Sequence, residues 1–237
     1  NLDLLNARLN FSTKALSDKL NIHFTSSITS KNQNYSFQEA IRYAIYFNPT
    51  APVYGKDAPF AFNSPQFGGY FEQISLFDAF NPVSILNQNK NLGKTIESTL
   101  GLNLSYQILE NLSINAKIAG QDSKFKGNQY YPSTAYFRGQ ASSPSRKGLV
   151  IFNDVQNKFQ LYEFFASYTK KIGDYSIFCN AGYSFQQYNF YKQDFSLGDF
   201  PNNDIDYTNH IESSQDLQNA GYITGSTYAS PDEKVIG

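Results

Sequence analysis

The feature that most restricts this chain is an alternation of period two between Thr95 and Gly120. Ile96, Leu100, Leu102, Leu104, Tyr106 and Ile108 fall on one parity, against Glu97, Thr99, Asn103, Ser105 and Gln107. After the short turn Leu109-Glu110-Asn111 the pattern resumes, with Leu112, Ile114, Ala116 and Ile118 against Ser113, Asn115 and Lys117. Successive side chains of a strand point to opposite faces, so this is a hairpin with one apolar and one polar wall. Each limb is about twice the usual strand length. About 9–11 tilted residues is also what a strand needs to cross the hydrocarbon of a bilayer.

The rest of the chain repeats that plan. Leu5, Ala7, Leu9 and Phe11 alternate with Asn6, Arg8, Asn10 and Ser12, and a turn over Lys14 to Asp18 leads to a second strand carrying Leu20, Ile22, Phe24 and Ile28. A long excursion over 30–93 follows. Within it, Ser36 and Glu39 stand at capping-box spacing, and Ala40, Ile41, Ala44 and Ile45 recur at helical spacing, which predicts a short helix ended by Pro49 and Pro52. Asn81-Pro82 predicts a second short helix, with Asn at the cap and Pro in the first turn. A second long loop is expected over 125–157. Strand five is read over Gln160 to Thr169, Lys171 to Asp174 is a tight turn, and strand six runs from Tyr175 to about Phe190. The remainder, to Gly237, is polar, rich in Asn and Asp, and free of clear strands.

Composition narrows the class. Charged residues are 16% against the roughly 25% of soluble domains, and net charge is -1, which gives no basic surface for nucleic acid. Aromatics are 16%, all Phe and Tyr. Few charges, many amides and hydroxyls and many Tyr suit strands with a wet uncharged face, and aromatic girdles at a membrane interface. No run of 18 apolar residues forms a transmembrane helix. The lone Cys179 lies on an apolar parity and reads as an inert thiol facing core or lipid. No signal peptide opens the chain, and Asn1 begins almost directly in strand pattern, which reads as a mature or excised piece.

Six strands therefore pair as three hairpins, with turns of a few residues at one end and loops of tens of residues at the other. That asymmetry is the one found in outer-membrane barrels, with short periplasmic turns and long extracellular loops carrying short helices. The expected fold is all-β: a segment of a large antiparallel transmembrane β-barrel, multi-pass in the outer membrane and in contact with its lipid. Bacterial membrane barrels start at about eight strands, so residues 1–237 are read as one contiguous slice ending in a loop before a further strand.

Three loop motifs carry a family resemblance. Phe47-Asn48-Pro49-Thr50-Ala51-Pro52-Val53-Tyr54 is followed by Gly69-Tyr70-Phe71-Glu72 and by Phe80-Asn81-Pro82-Val83. Downstream stand Tyr106-Gln107-Ile108-Leu109-Glu110-Asn111-Leu112, Ser167-Tyr168-Thr169-Lys170-Lys171 and Gly198-Asp199-Phe200-Pro201-Asn202. Spread in order over nearly the whole chain, these resemble the SusC/RagA type of TonB-dependent outer-membrane transporter of Bacteroidota. The resemblance implies a barrel of 22 strands plugged by an N-terminal domain, importing large solutes with energy from the TonB complex. It also implies a SusD-like surface lipoprotein as lid. The plug and the TonB-contacting segment lie outside these residues.

No catalytic constellation, metal site or cofactor motif is read. His23 and His210 fall in separate segments, and no Gly-x-Ser-x-Gly, His-Glu-x-x-His or phosphate-binding loop occurs. Asp204 and Asp206 lack the spacing of a calcium loop and read as solvated carboxylates. Asn10, His23, Asn103, Asn115 and Asn180 line a wet wall that tolerates oligosaccharide or peptide. Tyr54, Tyr70, Tyr130, Tyr131, Tyr136 and Arg138 are the candidate contacts to solute or partner, with loop packing as their competing role. A scaffold subunit of an assembly or secretion complex, and a soluble β-rich adhesin or carbohydrate-binding module, remain as alternatives to transport.

Overall fold

The protein is described from a computed structural model, which covers residues 1–56, 64–74, 79–138, 147–203, 207–218, 224–229 and 233–236. Six long strands run β1 (Leu2–Ala15), β2 (Leu20–Asn34), β3 (Lys90–Leu109), β4 (Leu112–Tyr131), β5 (Leu149–Ile172) and β6 (Tyr175–Gly198). Each pairs antiparallel with the next, so their order in space is their order in the chain. The register puts Phe11, Phe24, Leu102, Ile118, Tyr162 and Phe185 in one row across all six. The neighbouring row on the opposite face is Ser12, His23, Asn103, Lys117, Glu163 and Ser184. A slip of one residue at any pairing would put a polar row among apolar ones, so the alternation itself fixes the register.

The three hairpins and their short turns match the sequence reading. The β1–β2 turn places Leu16, Ser17 and Asp18 at positive φ, and Gly173 (φ +61) does the same between β5 and β6. The strands run further than expected toward the long connections. The loop expected over 125–157 is largely strand, because β4 continues to Tyr131 and β5 begins at Leu149. Apolar alternation fades there, and polar cross-strand pairs replace it. Gln156 donates to Asp122 at 3.0 Å, and Lys126 lies 4.0 Å from Asp154. The segment read as strand-free holds two short strands, β7 (Thr224–Ala229) and β8 (Glu233–Ile236), both antiparallel to β6.

The transmembrane β-barrel segment expected over residues 1–237, and the multi-pass outer-membrane placement built on it, are corrected. The eight strands form an open sheet: among the described residues β1 carries no outer neighbour, and β7 and β8 cover only part of the outer side of β6. No helix among the described residues is long and apolar enough to cross a membrane. Strand length and period are common to open and closed sheets. Closure needs a first strand paired with a last one, and periodicity does not encode that pairing. Among the described residues no second sheet covers the apolar wall either: Leu5, Leu100, Ile114 and Ile177 are 73%, 47%, 49% and 46% exposed. Cys179 is exposed on the same wall.

The buried core lies instead among the long connections. Helix α1 (Glu39–Tyr46) and helix α2 (Pro82–Gln88) pack with the ends of β4 and β5 around Phe37, Ala40, Tyr43, Ile85, Tyr131 and Leu149. The expected capping box at Ser36 does not form. The N-cap is Gln38, with no side-chain bond, so Glu39 stands in the first helical position rather than the third. Ala40 and Tyr43 face the core, and Ile41 and Ile45 of the predicted stripe point to solvent. A second cluster joins Tyr130, Val150, Leu197, Phe200 and Tyr207. The short α3 (Gln215–Gln218) closes it: Asp216 accepts from Gly198 N at 2.6 Å, and Ser214 donates to Gly198 O at 2.6 Å.

One glycine in the sheet is fixed by its neighbour. A Cβ on Gly182 would overlap Phe165 Cβ and approach Phe164 O to 2.5 Å, a backbone atom that cannot step aside. Gly182→Ala is expected to destabilise the β5–β6 pair by about 2 kcal/mol. Gly120→Ala, whose Cβ meets only Phe159 O at 3.8 Å, should stay within about 0.5 kcal/mol. Urea unfolding of the two variants side by side checks the difference, and equal midpoints would refute the close approach.

Candidate functional site

Two regions bring chemistry together. The first is a groove of about 630 Å³ on the polar wall, bounded by Ser12, Lys14, Asn21, His23, Asn103 and Phe165, with Ser105, Asn115 and Lys117 between them. Two adjacent cross-strand rows build it. Lys14, Asn21, Ser105, Asn115 and Phe165 form one, and Ser12, His23, Asn103, Lys117 and Glu163 the other. His23 Nδ1 shares a hydrogen bond of 2.7 Å with Ser12 Oγ, as expected of a solvated side chain on a polar face. Lys117 pairs with Glu163 at 3.3 Å. Asn115 Nδ2 donates to Ser113 and Ser167 at 3.3 Å each and to Phe165 O at 3.5 Å. The wall continues upward through Ser27–Thr99 (2.7 Å) and Gln121–Glu97 (2.7 Å). A surface of this kind offers hydroxyls, amides and one imidazole, with one ion pair already satisfied.

The second region is the loop cluster, organised by Asn81. This residue is fully buried. Its Oδ1 accepts from Val83 N at 3.0 Å and Ser84 N at 3.3 Å, capping α2, while its Nδ2 donates to Val53 O at 2.8 Å and Phe71 O at 3.0 Å. Its backbone N–H donates to Glu72 Oε2 at 2.9 Å. Glu72 is 2% exposed, and burial pushes its carboxyl up to about 7 against the opposing hydrogen bonds from Asn81 and Ser84. One polar node thus ties the strand-like pieces around Val53 and Phe71 to helix α2. The resulting bridge sets Tyr54 against Tyr70, ring centroids 5.0 Å apart.

The six candidate contact residues separate by accessibility. Tyr54 is exposed, Tyr70 is half-buried beside it, and Lys56 Nζ stands 5.4 Å from the Tyr54 ring. Tyr136 is half-buried between Phe67 (5.1 Å) and Phe80 (5.2 Å). Tyr130 and Tyr131 are 5% and 2% exposed, within the two core clusters, and burial, reinforced by Glu39, raises the Tyr131 phenol far above its usual range. Arg138 is buried and donates to Ala135 O at 2.9 Å and Ser133 O at 2.7 Å, holding its own loop. Asp204 and Asp206 lie outside the described residues. Glu72 closes the Gly69-Tyr70-Phe71-Glu72 loop motif, but its burial and its bond to the Asn81 N–H were not read from the sequence.

No family model matches the chain, and no curated protein matches it. Solved structures do. A chain of the RagAB peptide importer in its closed-closed state aligns with a TM-score of 0.63 at 12% identity, over 96% of this chain and 24% of that one. The open-open state gives 0.60 at 12%, covering 100% and 24%. A structure of the RagAB peptide transporter gives 0.64 at 11%, covering 99% and 25%. The chain shares the fold of part of a RagAB chain. It spans about a quarter of the length of the RagAB chains it matches. The likeness is one of fold.

Proposed function

We propose that this chain is one unit of a longer, non-enzymatic transport protein that takes up large solutes, oligosaccharides or oligopeptides. The observation that carries this reading is the polar ladder from Ser12 to Ser184, which crosses six strands without an apolar residue. Such a wall hydrogen-bonds a solute in passing without trapping it by burial. The fold shared with the RagAB peptide importer supports the same reading. A SusD-like surface lipoprotein covers the loop cluster in this account, and the TonB complex acts through segments outside these 237 residues. Tyr54, Tyr70 and Tyr136 meet the solute or that partner. Tyr130, Tyr131 and Arg138 hold the loops that present them.

The test uses the full-length protein in its host, with fluorescent oligopeptides and oligosaccharides as solutes. Deletion should abolish uptake of at least one class. The Tyr54→Ala/Tyr70→Ala pair should lower it about tenfold, since each aromatic contact contributes about 0.5–1.5 kcal/mol. Unchanged uptake after deletion, with a multi-subunit complex that fails to assemble, would instead favour a scaffold and sink the transport reading.

A further inference from the structure

The segment that carries Tyr54 and Tyr70 is fastened at both ends of helix α2. At one end Gln88 Nε2 donates to Phe67 O at 3.2 Å. At the other, Asn81 donates to Val53 O, Phe71 O and the Glu72 carboxyl. Within the segment, Gly55 N donates to Gly69 O at 3.0 Å and Phe71 N to Val53 O at 3.1 Å, which joins its two strand-like pieces into one body. Next to the Phe67 attachment stand Gly68 (φ +65) and Gly69 (φ +88), consecutive residues in the left-handed region where the backbone turns freely.

The Glu72 carboxyl closes the Asn81 end without a counter-charge. It is 2% exposed, bonded by the Asn81 N–H and the Ser84 hydroxyl, and among the described residues no cation pairs with it. Charged groups on the neighbouring elements are engaged elsewhere. Lys56 stands over the Tyr54 ring, Arg42 of α1 over the Tyr43 ring, Glu39 acts on Tyr131, and Arg138 holds its own loop.

We infer that Glu72 is a proton-operated latch: protonated, it seals the Tyr54–Tyr70 segment against α2, and ionised, it lets that end swing away about Gly68-Gly69. The inference rests on the transport reading only for what the two tyrosines contact, and it adds control of that contact. One backbone N–H and one hydroxyl do not replace the hydration of a carboxylate, so a charge formed there draws the group toward water. Opening and proton release are therefore linked. The closed carboxyl sits at about 7 against 4.5 when hydrated, so the open-to-closed ratio rises with pH, by about 25-fold from pH 5.5 to 8. A glutamine would make the same bond to the Asn81 N–H at every pH. The acid at this position adds response, not strength.

The experiment places nitroxide labels at Val53→Cys and Leu86→Cys, both exposed positions, in the purified full-length protein made cysteine-free by changes that include Cys179→Ser. Pulsed electron paramagnetic resonance should show one narrow distance at pH 5.5 and a second, longer population at pH 8, grown about 25-fold relative to the first. With Glu72→Gln the narrow distance should persist at both pH values. The same distribution at both pH values in the Glu72 protein overturns the latch. The same pH response in Glu72→Gln assigns it to another group and overturns it too. If Glu72→Gln is open at both pH values, the carboxyl acts through its shape and not its proton, and the latch falls again. Uptake of the fluorescent solutes, as the ratio of the Glu72 protein to Glu72→Gln, should drop from pH 5.5 to 8. A distance change that uptake does not follow leaves the latch standing and overturns the reading of Tyr54 and Tyr70 as solute contacts.

Discussion

Asn81→Ala should loosen the whole loop cluster, lowering hydrogen-exchange protection at the Phe71 and Ile85 amides about 100-fold. The side chain does four things at once: it caps α2 through two backbone N–H groups and ties down Val53 O and Phe71 O through two donors. A lost cap costs about 1 kcal/mol. Each further hydrogen bond is worth about 1 kcal/mol net, more where a buried group is left bare. The sum is about 3 kcal/mol, and non-additivity within one node leaves the order of magnitude intact. Asn81→Ser retains an acceptor for the cap and cannot reach both carbonyls, so it should fall between wild type and Ala. The strand amides of β3 to β5 serve as internal controls, because their ladders do not pass through this node. Equal protection in wild type and Asn81→Ala would show that the loops are held elsewhere. Their order otherwise decides how Tyr54 and Tyr70 are presented.

The second large effect is a pH dependence set by Glu72. Its carboxyl, raised from 4.5 to about 7 chiefly by burial, keeps its proton in the folded loops at pH values where the unfolded chain has already lost it. Folding therefore binds a proton between those values. The stabilising contribution is complete below pH 4.5, drains as pH climbs, and is gone above about 7. The full swing is about 3 kcal/mol at most, from a pKa difference of two to three units. Glu72→Gln cannot ionise but keeps an oxygen for the Asn81 N–H, so its loop stability should be flat over this range. Above pH 7 it should exceed wild type. Exchange rates of the Asn81 and Ile85 amides across pH 5 to 8, corrected for intrinsic exchange, provide the comparison. The same slope in both proteins would assign the pH dependence to another group.

The sheet was legible in the sequence because its signal is local and repeated. Each parity of Thr95–Ile108 or Tyr175–Phe185 states which wall a side chain joins, and the structure pairs those walls in the register that the alternation demands. What the alternation could not reveal was where the ladder stops. Beyond Asp122 and Lys158 the alternation breaks down, with β4 mostly polar and Leu149 to Phe152 of β5 apolar on both parities, so the outer parts of β4 and β5 looked like loop, although cross-strand amides and ion pairs sustain them. Openness was hidden for a different reason: it is a property of the edges of β1 and β6, and no residue within a strand records whether another will lie beside it. In the loops, the Asn81-Pro82 cap was readable because it acts within three residues. Glu72 was not, because its burial arises from a fold-back over nine residues joined at Asn81 N. The division of the tyrosines into exposed Tyr54 and buried Tyr130 and Tyr131 likewise depends on which rings the connections enclose.

That the strands lie side by side in the order they occur along the chain bears on how the molecule assembles. Hairpins closed by two- to four-residue turns can form in microseconds on their own, and β3–β4 and β5–β6 are of this kind. Joining β2 to β3 is the costly event, since the whole excursion from Asn34 to Lys90 must first be looped out. Closure entropy grows only with the logarithm of loop length, so this delay is finite, and the Asn81 node is positioned to shorten the effective loop by condensing it early.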